Sequence, residues 1–173
     1  MVSGSAAATN ADTIIYNVMY AFYIACSSFM GQNYGAGNKK RVLRSYFISL
    51  FYSFTIGLIL GLLLFIFGHQ FLSLFATDAA VIDAGMQRIK IMAFSYCFSS
   101  FMDCTIAASR GIGKTIIPTI IIIMGSCVFR IVWIYTVFAW IHTIPALFLL
   151  YLFSWIIISI AEITYFIIIY RKL

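Results

Sequence analysis

Five long apolar segments, separated by short polar breaks, set the pattern of the chain. They cover residues 6–30, 42–67, 89–108, 116–140 and 145–170, and the third is the least apolar. Each is close to the roughly 20 residues that an α-helix needs to cross the core of a bilayer. Glycine, histidine or proline marks each break, as is typical of helix ends. The pattern predicts an all-α fold, a polytopic membrane bundle of about five transmembrane helices formed by residues 1–173.

Composition points the same way. Hydrophobic residues make up 64% of the chain and charged residues only 9%, whereas a soluble domain usually carries about 25%. A buried core of a soluble assembly would not need five successive full-length apolar segments, so the expected surrounding partner is the lipid bilayer. The net charge of +6 comes from short basic clusters between apolar segments, not from a patch typical of phosphate binding. We therefore expect no nucleic-acid partner.

The basic residues favour alternate connections between the segments. One side has eight of them, namely Lys39, Lys40, Arg41, Arg44, Arg110, Lys114, Arg171 and Lys172, and the other has Arg88 and Lys90. The positive-inside rule then predicts a cytoplasmic C-terminus in a multi-pass protein of the plasma (inner) membrane. Five crossings would start the chain outside, and its first segment is too polar for a signal peptide. We therefore expect a piece of a longer protein.

Among the charged residues within the apolar segments, Asp103, Arg130 and Glu162 are the most informative. Asp103 and Glu162 each lie several residues inside the predicted cytosolic end of a helix, and Arg130 lies nearer the middle of the fourth segment. Charges at such depth usually face the bundle interior or a wet cavity and have partners. Two interpretations stay open for each: a fixed ion pair, for instance Arg130 with Glu162, or a part in a transport cycle.

Polar side chains also form two stripes on the predicted helices. Asn10 and Asn17 are seven residues apart and share a helix face, and Tyr96, Ser100 and Asp103 follow at i, i+4 and i+7. Such stripes on apolar helices favour a water-accessible cavity. Hydrogen bonding between helices would give the same pattern, so both interpretations remain open.

Sites for catalysis, nucleotides and metals are not predicted. The segment Ala108–Thr115 ends in Gly-Lys-Thr like a phosphate-binding loop, but it follows a predicted helix and lacks an acidic partner for magnesium. We interpret it as a tight turn that binds no nucleotide. His69 and His142 lie alone at helix ends, so we expect no enzyme activity. The cysteines lack metal-ligand spacing, and neither a metal nor another cofactor is expected.

Two motifs resemble the multidrug and toxic compound extrusion (MATE) family. Gly-Gln-Asn-Tyr-Gly-Ala-Gly, followed by basic residues, is similar to the end of the family's eighth helix and its cytosolic loop. Ser109–Pro118 is similar to the loop between helices ten and eleven. The motif residues are Gly31, Gln32, Asn33, Gly35, Gly37, Arg110, Gly111, Gly113 and Pro118. Their spacing and the two segments that follow also fit, so the resemblance covers nearly the whole chain.

The resemblance, which is strongest to the bacterial DinF-like branch, implies a transporter of twelve helices in two lobes. Such proteins exchange organic cations or other drugs for protons or sodium ions. This chain would supply helices eight to twelve, most of the C-terminal lobe, and its partner would be the missing N-terminal lobe. In that branch the main proton-linked carboxylate is expected in the missing lobe. A non-transporting membrane subunit or assembly partner is the alternative.

The family's sodium-coupled branch has an ion-binding carboxylate on the tenth helix. Asp103 lies on the matching segment, but about one turn closer to Arg110 than the position of that carboxylate in the family. Ser99 is nearer the expected position. We therefore do not predict the family's sodium site in this chain. Asp103 is a candidate cavity residue with Tyr96, Ser100, Asn10, Asn17, Arg130 and Glu162.

Overall fold

A computed structural model describes residues 2–75, 77–141 and 144–172, and the side chains of 9–75, 77–140 and 149–172. The described residues contain five helices that are long and apolar enough to cross a membrane: Thr9–Gly35, Lys39–Ser73, Ala79–Gly111, Ile116–Phe138 and Leu149–Lys172. The predicted all-α membrane bundle is confirmed. His142 lies outside the described residues.

The helices follow one another through short connections. They are α1 (Val2–Gly35), α2 (Lys39–Ser73), α3 (Ala79–Gly111), α4 (Ile116–Ile123), α5 (Phe129–Trp133), α6 (Ala139–Ile141) and α7 (Ile144–Lys172). Two π-helical turns, Met124–Val128 and Ile134–Phe138, join α4 to α5 and α5 to α6. Residues 116–141 are therefore one continuous helical segment, which we call the fourth span.

The helices are longer than the apolar segments that predicted them. An apolar segment ends where glycine or polar residues begin, but a helix continues until its backbone is capped. Gly68 directly follows the second apolar segment, where the pattern predicts a break. It is instead buried inside α2, where a Cβ would lie 3.1 Å from the sulfur of Met86. The difference reflects capping, which the apolar pattern does not encode.

Glycines with positive φ end α1 and α3 in the same way. Gly37 has φ 68° and Gly113 has φ 80°, values that other residues adopt at a cost. In each turn an N–H reaches back five residues: Asn38 donates to the Asn33 carbonyl at 3.0 Å, and Lys114 donates to the Ser109 carbonyl at 3.0 Å. This is the Schellman arrangement of a helix end. The segment that looks like a phosphate loop is thus a helix end and tight turn.

The third span, the least apolar in sequence, lies at the centre of the bundle. Its most apolar window is 72% buried, against 33% or less in the other spans. Because α1, α2 and α7 pack around it, α3 faces protein more than lipid and needs fewer apolar side chains. Gly57 and Gly61 let α2 approach closely, since a Cβ on Gly61 would overlap the carbonyl oxygen of Ala93. Close approach is what a GxxxG pair predicts.

Candidate functional site

Asp103 on α3 lies between two cavities and lines both. The first, about 440 Å³, lies between α1 and α3, and its polar lining includes Tyr16, Tyr20, Tyr23, Ser27, Ser28 and Arg110. The second, about 380 Å³, extends to α7, and its polar lining includes Asp12, Thr13, Arg88, Tyr96, Ser99 and Tyr151. Tyr16 also lines both cavities. Asp103 is therefore shared by two cavities.

The carboxylate of Asp103 makes no hydrogen bond and no ion pair to any described residue. Arg110 follows seven residues later on α3, which is roughly 10 Å along the helix, and its side chain is exposed. A charge without a direct partner inside a membrane span attracts a proton or a cation. Tyrosine rings beside it add faces that favour organic cations. The arrangement is chemically suited to binding a cation.

A second polar cluster joins the N-terminal halves of α1 and α3. Arg88 forms an ion pair with Asp12 and donates to the hydroxyl of Thr9 at 2.9 Å. The hydroxyl of Tyr96 donates to the other carboxylate oxygen of Asp12. Asp12 therefore has its charge compensated, whereas Asp103 has no direct partner within the part of the chain that the structure describes. The two aspartates in one cavity are not equivalent.

Sequence reasoning missed this cluster because Arg88 was assigned to a connection. In the structure α3 begins at Ala79, so Arg88 is a helix residue whose side chain is only 14% exposed. A signal was present: an aspartate in the first span needs an opposite charge, and Arg88 and Lys90 flank the start of the third predicted segment. Tyr96 was predicted as a cavity residue, but its hydrogen bond to Asp12 was not predicted.

The residues of the predicted stripe on α3 do not all face the same surroundings. Tyr96 and Asp103 line the second cavity. Ser100 is fully buried and faces α2, where a Cβ on Gly57 would lie 3.3 Å from its hydroxyl oxygen, and it donates to the carbonyl of Tyr96 at 3.2 Å. Of these three residues, two meet at the cavity and one packs between helices.

The predicted stripe on α1 does not join the stripe on α3. Asn10 and Asn17 are exposed and are absent from the lining of both cavities. The buried face of α1 carries Ala11, Ile15 and Met19 instead. Spacing predicted that the two asparagines share a face, but it could not say which way that face points.

The ion pair suggested between Arg130 and Glu162 is wrong. Arg130 donates to the hydroxyl of Ser154 through Nε at 3.3 Å and Nη2 at 3.2 Å, and its guanidinium lies 4.5 Å from the ring centre of Tyr151. Glu162 follows Ser154 by eight residues, roughly 12 Å along α7, and is fully buried. The helix register brings Arg130 to the other partners.

Most motif residues shape the helix ends. Asn33 donates to the hydroxyl of Ser45 at 3.1 Å and ties α1 to α2, and Gln32 donates to Ser28 at 3.3 Å. Pro118 is buried in the first turn of α4, where its missing N–H costs nothing. Arg110 is the motif side chain that reaches a cavity. Within residues 2–75, 77–141 and 144–172, no three His, Cys, Asp or Glu side chains form a metal-binding group.

Comparison with known proteins gives a consistent family. The family model MatE matches residues 1–136. The chain is 26% identical over 116 residues to the "Probable multidrug resistance protein NorM" of Thermotoga maritima, covering 65% of this chain and 24% of that protein. It is 30% identical over 102 residues to the "Probable multidrug resistance protein YoeA" of Bacillus subtilis, covering 59% of this chain and 22% of that protein.

A solved structure shares the fold. It is described as the inward-facing conformation of a multidrug resistance MATE family transporter of the MOP superfamily. The TM-score is 0.84 at 15% sequence identity, and the match covers 95% of this chain and 38% of the solved one. This chain thus spans less than two fifths of the solved transporter, and the matched regions are about a quarter of the curated relatives.

Proposed function

The chain belongs to the MATE family, and we propose that its helices work in multidrug efflux, as most of one lobe of a cation-coupled antiporter. The observation that carries this proposal is Asp103, a carboxylate without a direct partner among the described residues, which lines two cavities with tyrosine side chains. An organic cation would bind the carboxylate and the ring faces together. A proton or sodium ion would compete for the same charge, and such competition is the basis of exchange.

Alternating access supplies the direction of transport in this proposal. In transporters of this kind two lobes or repeats rock about a site near the membrane midplane. Asp103 would hold the drug or the coupling ion in turn, and the ion pair of Arg88 with Asp12 would keep α1 and α3 together as the lobe moves. The relatives are longer than the matched region, which supports a role for these helices beside a further lobe.

The exposed face of α1 supports a partner lobe on that side. Asn10, Thr13, Tyr16 and Asn17 are all exposed in a span that is apolar enough to cross a membrane. Polar side chains are expensive against lipid tails, so protein or water should cover them. We assign this face to the contact with the other lobe or to the water-filled space between the lobes.

We also propose that the basic end of the bundle faces the cytoplasm of a plasma (inner) membrane. Two contacts support one common end for the eight basic residues: Tyr170 donates to the carbonyl of Lys39 at 3.3 Å, and Gly31 lies against Gly111. The C-terminal turn, the start of α2 and the end of α3 are therefore neighbours. Positive residues are retained on the cytoplasmic side, which gives a cytoplasmic C-terminus.

Binding of a fluorescent organic cation to the chain in lipid nanodiscs tests the site. Asp103→Asn keeps the volume and removes the charge, so we expect about tenfold weaker binding, ~1.4 kcal/mol. Leu62→Ala, at an exposed apolar position of α2, is the matched control and should bind as the unchanged chain. Equal binding by Asp103→Asn and the unchanged chain would remove Asp103 from the drug site.

A further inference from the structure

Glu162 is the single glutamate in the chain, and it is fully buried in α7. It lies inside the span Leu149–Lys172. Neither carboxylate oxygen has a hydrogen-bond partner among the described residues. It also lies outside both cavities that contain Asp103. A buried acid of this kind needs an explanation of its own.

Packing on both sides places Glu162 in a closed interface. One turn earlier, Ile158 packs with Met102 and Ile106 of α3. One turn later, the ring of Phe166 lies 4.6 Å from that of Tyr46 on α2. Glu162 is thus held between two turns of α7 that both contact the rest of the bundle.

The C-terminal end of α3 is polar but does not neutralise the acid. The Tyr46 hydroxyl lies 2.8 Å from the Thr105 hydroxyl, so these two groups satisfy each other. Ser109, one turn beyond Thr105, is fully buried, and its hydroxyl oxygen lacks a partner among the described residues. Among the described residues, neither Thr105 nor Ser109 therefore forms a hydrogen bond with the carboxylate of Glu162.

The charged groups on the surrounding helices are accounted for. Arg110, at the end of α3, is exposed and forms no ion pair with Glu162. Arg130, on the fourth span, is bound to Ser154. Asp103 faces the cavities beside α1. Among the described residues, no opposite charge contacts the carboxylate.

We propose that Glu162 is a proton-binding site that is loaded when α3 and α7 are packed and releases its proton when they separate. An ionised carboxylate without a partner is far more costly in an apolar interior than a neutral acid. Packing of the two helices therefore favours the proton, and by linkage loss of the proton favours separation. The coupling of this step to drug exchange rests on the function proposed above, whereas proton binding itself does not.

Because Glu162 is the single glutamate, an isotope label reports on it alone. The chain is produced with ¹³C in the glutamate side-chain carboxyl, placed in lipid nanodiscs and followed by infrared spectroscopy across a pH series. We expect the C=O stretch of a protonated acid at neutral pH and its loss in alkaline buffer. Glu162→Gln should lack the signal and retain native stability, and Asp103→Asn should retain the signal. A carboxylate stretch at neutral and mildly acidic pH would overturn the proposal.

The link to helix separation has its own test. In a chain with its native cysteines replaced, Met102→Cys and Ile158→Cys provide a disulfide across α3 and α7. The cross-linked chain should keep the protonated-acid signal to a pH about one unit higher than the reduced chain does. The same titration in both chains would overturn the link. Neither measurement needs transport. A negative result therefore leaves the efflux proposal intact, and absence of drug export leaves the proton site intact.

Discussion

Gly31 on α1 and Gly111 on α3 lie directly against each other. A Cβ on Gly31 would be 3.1 Å from the carbonyl oxygen of Gly111. A Cβ on Gly111 would lie 2.8 Å from the Cβ of Met30 and would overlap the carbonyl oxygen of Ser27. The two family motifs, far apart in sequence, therefore form one helix contact. Part of what they encode is close packing of backbones.

Gly111→Ala should destabilise the bundle by about 1–3 kcal/mol, because the added methyl group has no room and α1 must move. Thermal unfolding of the purified chain in detergent measures the change. Gly35→Ala is the control, since a Cβ there meets nothing within 4 Å and alanine favours helix. If both variants unfold at the temperature of the unchanged chain, the close contact does not exist.

The cluster of Asp12 with Arg88 predicts coupled losses. Asp12→Asn or Arg88→Gln alone should each cost roughly 1–3 kcal/mol, because each leaves a part-buried charge without its partner. The double variant should cost less than the sum of the two single changes. Unfolding temperatures of the four proteins in one detergent give the coupling. Additive losses would show that the two side chains act independently.

The number of spans was predictable from sequence because lipid demands long apolar segments regardless of what surrounds them. The ends of those helices were not, since Gly68 looks like a break and yet packs inside α2. Whether a helix ends at a glycine depends on its φ, as at Gly37 and Gly113. The pattern of apolar residues does not predict that angle.

The site was predictable in part. The spacing of Tyr96 and Asp103 along one helix predicted that they would meet, and both line the second cavity. The partners of Arg130 depend on the register of the fourth span against α7, which the sequence of neither helix fixes. The same holds for Asn10 and Asn17, whose shared face points away from the packed side of α1.

Two native thiols provide a test of the packing of α1 against α3. The sulfur atoms of Cys26 and Cys104 lie 3.6 Å apart in the buried interface. Oxidation with copper phenanthroline should remove the two thiol hydrogens and form a disulfide between Cys26 and Cys104. A chain cleaved at a protease site inserted beside Asp78 should then stay in one piece until the disulfide is reduced. Cys26→Ser should abolish the link. Fragments that separate without reductant would contradict the packing.

The proposed orientation predicts which connections are reached from outside the cell. In a chain with its native cysteines replaced, a cysteine at Asp78 should react with an impermeant maleimide added to intact cells, and a cysteine at Lys39 should react only after lysis. The reason is that eight basic residues share one end of the bundle and favour the cytoplasm. The reverse labelling pattern would invert the assignment.

The most direct test of the central claim is drug resistance in an efflux-deficient bacterium. The host expresses a chimera that joins this chain to the N-terminal helices of a MATE relative. At matched membrane abundance, the chimera and its Leu62→Ala variant should confer resistance, Asp103→Asn should lose most of it, and the 173-residue chain alone should confer none, because alternating access needs two lobes. Full resistance with Asp103→Asn would contradict the role assigned to that carboxylate, and export by the chain alone would contradict the two-lobe account.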